Sequence, residues 1–252
     1  MKCNKVLLGS MAITLLMSGS YNPAHAIDFI ARVAFGNKSS ELIIRDRSFT
    51  PDFITLDLSL TGTHGRYFLT LNNEVSLKDA IETDPNGLIF FSRQDTNITF
   101  GYSFDIANIF VGWRTGETDA YYTGENNNFG TKSDGFYIGA SKSHYFEDKG
   151  HLSGSLAIAS LDGEVSLTEP FVDTSAFVPG VGPPPPDTIK GSAIGFSLGI
   201  GWSGQVSENT TYNIDYKLNQ FDFEDDVVFG GLDLSYEENF STFYIGLTHI
   251  FE

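Results

Sequence analysis

The stretch SAIGFSLGIGWSGQVSENTTYNIDYKLNQ, residues 192–220, decides the fold. From Ile194 to Trp202, large apolar residues alternate with glycine and serine, which is the period of a β-strand with two different faces. After a polar turn the alternation resumes, and apolar residues from Tyr212 to Leu218 alternate with polar ones. The stretch therefore predicts an antiparallel hairpin whose strands are longer than the roughly five or six residues typical of soluble sheets.

The same alternation recurs along the chain. Ten runs show it, and they begin near Ile27, Phe53, Arg66, Ile98, Asn108, Phe136, Leu152, Ile194, Tyr212 and Phe243. Connections after the second, fourth, sixth and eighth runs are short and the others are long, as with the periplasmic turns and extracellular loops of outer-membrane barrels. We predict an all-β fold, an up-and-down antiparallel transmembrane β-barrel of about ten strands. A soluble sandwich is the competing interpretation, and residues 88–91 fit either the fourth run or a loop.

The first 26 residues have the pattern of a secretory signal. Lys2 and Lys5 give a positive start, an apolar core follows, and Ala24-His25-Ala26 is a small-x-small cleavage site. We therefore expect residues 1–26 to be a signal peptide that is removed. Residues 27–252 are then expected to form the barrel, with long extracellular loops, in the bacterial outer membrane.

Composition limits the partners and cofactors. The formal net charge is −17, and loss of the two signal lysines makes it more negative. Such acidity excludes nucleic acid as a partner, because phosphates demand a basic surface. The only cysteine, Cys3, lies in the predicted signal, so the mature chain has no thiol for a disulfide or a zinc-thiolate site. We expect no cofactor except loosely bound Ca²⁺ or Mg²⁺.

Charged residues on the predicted inward face form a nearly balanced set. They include Arg32, Asp57, Arg66, Arg114, Asp215 and Lys217. An unpaired buried charge costs several kcal/mol, so the balance predicts ion pairs across a narrow lumen. Arg32 and Asp57 lie on neighbouring runs at similar height, and we predict that they face each other inside the barrel. These charges are interpreted as a plug, and the competing interpretation is an ion path.

The predicted loop at residues 221–239 carries seven acidic residues and no lysine or arginine. Its candidate ligands for a divalent cation are Asp222, Glu224, Asp225 and Asp226. Carboxylate oxygens are the ligands that Ca²⁺ and Mg²⁺ prefer, although a run of charge is most often a solvated face. The acidic extracellular loops favour a non-enzymatic role in surface binding, adhesion or membrane integrity.

Two other functions compete with surface binding. A small, porin-like channel for ions or small solutes would use the lumen. A lipid-directed hydrolase would use His151 and Ser153, which lie beside Glu147 and Asp148 and resemble the His-x-Ser pair of lipid A deacylase barrels. That pair falls at the predicted periplasmic end, and the acidic loops at the other end contain no histidine for an omptin-like protease. No catalytic residue is therefore predicted.

The last run alternates through Phe243, Ile245 and Leu247 and ends in Phe251. With the signal and the amphipathic strands, this resembles the outer-membrane β-barrel superfamily of Gram-negative bacteria that includes OmpA-like and opacity-protein barrels. We expect a monomer surrounded by outer-membrane lipid and lipopolysaccharide. The resemblance also implies that the barrel assembly machinery reads the terminal aromatic. Here Glu252 follows Phe251, which departs from the family pattern.

Overall fold

The computed structural model describes residues 27–44, 47–84, 87–123, 128–146, 150–167, 188–225 and 236–251, and the predicted signal lies outside them. The strands are β1 (Asp28–Ile44), β2 (Arg47–Phe49), β3 (Asp52–His64), β4 (Tyr67–Ser76), β5 (Ala80–Asp84), β6 (Gly87–Ser103), β7 (Asn108–Tyr122), β8 (Asn128–Phe146), β9 (Gly150–Leu167), β10 (Thr188–Ser207), β11 (Thr210–Asp225) and β12 (Tyr236–Phe251). Among these residues, no helix is long and apolar enough to cross a membrane.

Ten of these strands close into one antiparallel barrel. Strands β1, β3, β4 and β6 to β12 pair in chain order, and β12 returns to β1 with Phe251 opposite Phe29. The short strands β2 and β5 extend the first two hairpins by pairing with the ends of β1 and β6. The predicted all-β, up-and-down barrel of about ten strands is therefore confirmed, and residues 88–91 belong to β6.

In the half of the barrel near the short turns, which we call the lower barrel, the outward face is an apolar belt. Exposed members from successive strands are Phe35, Leu58, Leu69, Phe100, Val111, Ile138, Ile158, Leu198, Ile214 and Ile245. Aromatic rings gather at the periplasmic edge of this belt, where Tyr67 packs edge-on against Tyr102 at 5.0 Å between centroids. Trp202 Nε1 donates to the Tyr212 hydroxyl at 3.3 Å at the same edge. An apolar band bounded by such rings is the outer surface of a membrane-spanning barrel.

Short turns close one end of the barrel, which the strand pattern assigns to the periplasm. Residues 65–66 join β3 to β4, and residues 208–209 join β10 to β11. Gly65 has a φ of 60°, a left-handed conformation that glycine adopts without a steric penalty. The turn can therefore reverse the chain within two residues.

At the opposite end, the strands continue beyond the apolar belt. Their outward residues become polar, while inward residues pack into an apolar core inside the barrel. Its larger members are Leu42, Phe49, Phe53, Ile89, Phe91, Tyr122, Phe129, Leu161, Val165, Phe221, Phe223, Tyr236 and Phe240. The expectation of long loops was wrong for the first three extracellular connections, where residues 45–46, 85–86 and 123–127 separate strands. The alternation persists there because burial of these side chains stabilises a longer barrel.

Candidate functional site

Three charged side chains form the lower layer of ion pairs in the lumen. Arg32 on β1 donates through Nη1 to Asp57 on β3 at 3.0 Å. Its Nη2 donates to Asp215 on β11 at 2.7 Å, so one guanidinium joins β1 to strands on both sides. Asn72 Nδ2 donates to the second oxygen of Asp57 at 3.0 Å. The structure thus places Arg32 and Asp57 in contact inside the barrel, as strand parity predicts.

A second layer, nearer the extracellular end, is centred on Asp95 of β6. Asp95 accepts from Arg93 Nε and Nη2 at 2.9 Å, from Lys38 Nζ at 2.7 Å and from Arg114 Nη2 at 2.9 Å. All four side chains are at most 11% exposed. A buried carboxylate is stable in such a place only when cations and hydrogen bonds replace its hydration.

Two further carboxylates balance the cations of this layer. Glu74 accepts from Lys38 Nζ at 2.9 Å and from the Tyr244 hydroxyl at 2.8 Å. Glu238 lies 3.5 Å from Arg93 Nη1 and is 2% exposed. Lys38, Arg93 and Arg114 therefore match Glu74, Asp95 and Glu238 in charge. We call these six residues the upper ion cluster.

The apolar core closes the lumen directly above the upper ion cluster. The Phe240 ring lies 3.9 Å from the guanidinium carbon of Arg93, and the Phe221 ring lies 4.5 Å from that of Arg114. Both phenylalanines belong to the apolar core and are at most 3% exposed. Cation–π contacts of this kind favour a guanidinium that has lost its water. Side chains therefore fill the lumen at its extracellular end.

Below the upper ion cluster, the lumen holds a polar cavity of about 300 Å³. Lys217 and Tyr244 line one part of it, and Ser155 and Ser197 line another. A second cavity of about 490 Å³ adjoins it toward the periplasmic end, and residues such as Tyr137 line both. The described interior therefore holds two adjoining cavities on the periplasmic side of the upper ion cluster.

Of the residues predicted for the lumen, Arg66 was placed wrongly. Its side chain is 54% exposed and pairs at 2.9 Å with Asp105 in a neighbouring periplasmic turn. The cause is the turn at Gly65, which ends the strand before Arg66 can point inward. Arg32, Asp57, Arg114 and Asp215 do lie in the lumen and form ion pairs.

Lys217 also faces the lumen, but its neighbour is an aromatic ring. Its Nζ lies 5.1 Å from the centroid of Tyr244, the ring that also lies 5.6 Å from the guanidinium carbon of Arg32. Among the described residues, no carboxylate oxygen comes within 4.0 Å of Lys217 Nζ. Lys217 is therefore directed to the cavity without an acidic partner in the described part of the chain.

The prediction that residues 221–239 form an acidic loop was wrong at both ends of the segment. Its first residues, up to Asp225, belong to β11, and those from Tyr236 onward belong to β12. Its Glu238 is a member of the upper ion cluster and is not a loop residue. The inward alternation of aromatic residues explains this, since it continues through the acidic segments.

The described part of the chain does not show the four candidate cation ligands as one site. Asp222 faces outward on β11 and is exposed. The side chains of Glu224 and Asp225, and the whole of Asp226, lie outside the described residues. Within the described ranges, no group of three or more His, Cys, Asp or Glu residues is placed to hold a metal ion.

The candidate catalytic pair His151 and Ser153 is not arranged for nucleophilic catalysis. The Ser153 hydroxyl donates to the carbonyl oxygen of Gly201 at 3.3 Å, while the His151 ring packs against Tyr145 at 4.7 Å. Residues 147–148, the predicted orienting acids, lie outside the described part. In this arrangement the hydroxyl proton of Ser153 is directed to a carbonyl and not to the imidazole of His151.

Sequence reasoning missed most of the upper ion cluster. The missed residues are Lys38, Glu74, Arg93, Asp95 and Glu238. Each keeps the inward parity of its strand, so extending the runs residue by residue would have found them. The runs seemed to end because the outward residues become polar above the belt, which removes the contrast between the two faces.

A closed barrel with an apolar outer belt and a polar interior is the architecture that spans the bacterial outer membrane, because every strand is paired inside the bilayer. The protein is therefore an outer-membrane β-barrel with transmembrane strands, located in the outer membrane of a Gram-negative bacterium. This class is defined by the fold.

No protein-family model matches the chain, and no curated protein matches it. Among solved structures, the outer membrane protease OmpT from Escherichia coli is similar, with a TM-score of 0.53 and 10% identity, covering 93% of this chain and 99% of that one. The translocator domain of the autotransporter NalP from Neisseria meningitidis has a TM-score of 0.47 and 10% identity, covering 93% and 90%. At these identities the likeness to OmpT supports the fold and carries no activity to this chain.

Proposed function

We propose that the protein is a non-enzymatic, non-conducting barrel that binds partners at the cell surface. The observation that carries this proposal is the packed upper barrel, which projects beyond the apolar belt. Its apolar core and ion cluster hold the outward faces of the strands as one rigid surface. A preorganised surface of this kind favours binding, because little conformational entropy is lost when a partner docks.

The charge of this surface suggests the kind of partner. Outward-facing acids on the upper barrel strands are Glu41, Asp52, Glu117, Asp119, Asp134, Asp162, Glu164, Asp222 and Glu237, whereas the lysines there are Lys132 and Lys190. Like charges also stand directly opposite each other across strands, as Asp134 does to Asp162 and Asp222 to Glu237. Such pairs destabilise a sheet in isolation. A basic protein surface, or divalent cations that bridge to lipopolysaccharide, would relieve this repulsion.

Catalysis has less support. The described histidines are His64, His144, His151 and His249, and all lie at the periplasmic ends of their strands. The acidic upper surface therefore has no described imidazole near it to act as a general base. A small channel is the second candidate, because the lower lumen is open, and its test is the conductance measurement described in the Discussion.

Outer-membrane lipid and lipopolysaccharide are the expected surroundings of the belt. Phe251 lies in the last strand, opposite Phe29 in the β1–β12 pair that closes the barrel. Its ring is exposed and therefore accessible to assembly factors. We propose that the barrel assembly machinery reads this aromatic even though Glu252 follows it. The chain is proposed to work as a monomer, because closure through β1 and β12 uses both edge strands.

The proposed function is tested by adhesion of whole cells. A Gram-negative host expressing the full chain should adhere to a surface coated with a basic polypeptide several-fold better than cells with an empty vector. The double variant Asp222→Asn and Glu237→Gln should lose much of this gain. A matched double variant at the periplasmic end, Asp28→Asn and Glu208→Gln, should keep it. Equal adherence of both variants, or no gain on expression, contradicts the proposal.

A further inference from the structure

The lumen contains one cationic side chain whose partner is not accounted for. Every carboxylate of the two ion layers has at least one cation within 3.5 Å. Lys217 is different, since in the described part of the chain its Nζ has only the face of Tyr244 beside it. A lysine ammonium is strongly hydrated and carries three donors, so one aromatic face leaves most of its hydrogen-bonding capacity unused.

The space in front of Lys217 is shaped by small residues. Gly199 faces Lys217 across the β10–β11 pair, and a side-chain carbon at Gly199 would lie 3.9 Å from Lys217 Cγ. Ser155, Ala157 and Ser197 continue the same wall of the cavity. Larger residues at these positions of β9 and β10 would fill the lumen, as side chains do in other narrow barrels. The resulting volume of about 300 Å³ is at the lower end of the range for small-ligand pockets.

Two further polar side chains line the same cavity. Arg114 is 9% exposed and its Nη2 is bound to Asp95 at 2.9 Å, whereas its Nε is buried away from the cavity and has no hydrogen-bond partner. Asn219 adds an amide to this wall, and its Oδ1 already accepts from Ser197.

The cavity lies between a covered side and a second cavity. On the extracellular side, Phe221 and the upper ion cluster cover it, and Phe221 is 1% exposed. On the periplasmic side it adjoins the second cavity, and the hydroxyl groups of Thr70 and Thr99 line both. We therefore expect a solute to enter from the periplasm.

We propose that this cavity is a periplasm-facing binding site for a small oxyanion, a carboxylate or a phosphate. Lys217 supplies the charge, and the Asn219 amide supplies a directed donor. The site goes beyond the proposed surface function and does not depend on it, because it lies in the lumen at the other side of the apolar core. The Tyr244 ring holds the ammonium in place when no anion is bound.

The test uses the protein purified from outer membranes of an expressing host in a zwitterionic detergent. Its thermal unfolding is followed in increasing acetate or inorganic phosphate at constant ionic strength. The proposal expects a saturable rise in unfolding temperature with at least one of the anions, because a ligand that binds only the folded state stabilises it. The two anions report separately on carboxylate and phosphate chemistry.

Two variants locate the effect. Lys217→Met should abolish the saturable rise, and Ser197→Leu, which fills the cavity from the neighbouring strand β10 and keeps the lysine, should abolish it too. Lys132→Met, at an exposed outward position, should retain it. The proposal is overturned if neither anion gives a saturable rise, or if Ser197→Leu retains the full effect. The second variant keeps the test decisive if Lys217→Met does not fold.

Discussion

Arg93 donates through Nε and Nη2 to both carboxylate oxygens of Asp95, two residues further along the same strand, at 2.9 Å each. Lys38 from β1 and Arg114 from β7 bind the same carboxylate. Asp95 is thus a shared acceptor for three cations from three strands. This arrangement joins distant strands of the barrel, and it makes the carboxylate the centre of the upper ion cluster.

Replacing Asp95 with Asn should strongly destabilise the barrel. The substitution leaves three buried cations with one fewer charge to balance them, and breaking a buried pair in this way costs about 3–5 kcal/mol. Urea unfolding of the purified protein in detergent micelles measures the change. Glu117→Gln, at an exposed outward position on β7, should stay within about 0.5 kcal/mol of the native chain. Similar losses in both variants would show that Asp95 has no special role.

The lower ion layer offers a test of pairing. Arg32→Met should cost about 3–5 kcal/mol, because Asp57 and Asp215 then lose their shared cation. Adding Asp57→Asn and Asp215→Asn to that variant should restore part of the loss, since no unpaired charge remains. A triple variant that is less stable than Arg32→Met alone would contradict the pairing that the structure shows.

A glycine contact tests the close approach of β8 and β9. A side-chain carbon at Gly135 would collide with the backbone carbonyl of Ser160 on β9, which cannot move aside. Gly135→Ala should therefore destabilise the barrel by about 1–3 kcal/mol in the same urea experiment. At Gly154, the nearest atom to such a carbon is 4.0 Å away, so Gly154→Ala should be close to neutral. Equal stability of the two variants would refute the close packing.

The sequence predicted the barrel because large apolar residues on the outward face alternate with small or polar residues on the inward face. Ile194 and Gly195 are an example of this contrast. It predicted the Arg32–Asp57 contact for the same reason, since parity and run order place both side chains in the lumen. The upper ion cluster was not predicted, because above the belt both faces of the strands carry polar residues. Asp95 is an example, with Gln94 and Thr96 on either side. Which cation each carboxylate binds depends on barrel shear and tilt, and alternation carries no information about these.

The stability of the β5–β6 hairpin should depend on pH. Burial raises the pKa of Glu82 above its ordinary value, although the Thr50 amide donates to its carboxylate. The folded state therefore holds the proton more tightly than the unfolded state. Its contribution to stability is present below the ordinary pKa and is lost as pH rises through the raised one. Hydrogen-exchange protection of the β5 and β6 amides, around the pair Ile81–Phe90, should fall as pH rises through the raised pKa of Glu82.

The control for the hairpin is Glu82→Gln. This variant has no carboxyl group to titrate, so the protection factors of the same β5 and β6 amides should change little over the same pH range. A fall of equal size in the variant would mean that another group causes the pH dependence.

Closure of the lumen is the central claim, and single-channel recording in planar bilayers tests it most directly. The purified barrel, with insertion confirmed by protease protection, should give no steady conductance steps. Phe221, Phe240 and the upper ion cluster pack across the extracellular half of the described lumen, and we expect them to leave no continuous water path. Reproducible unitary steps from the native protein would contradict this account and would make the channel the better explanation of its function.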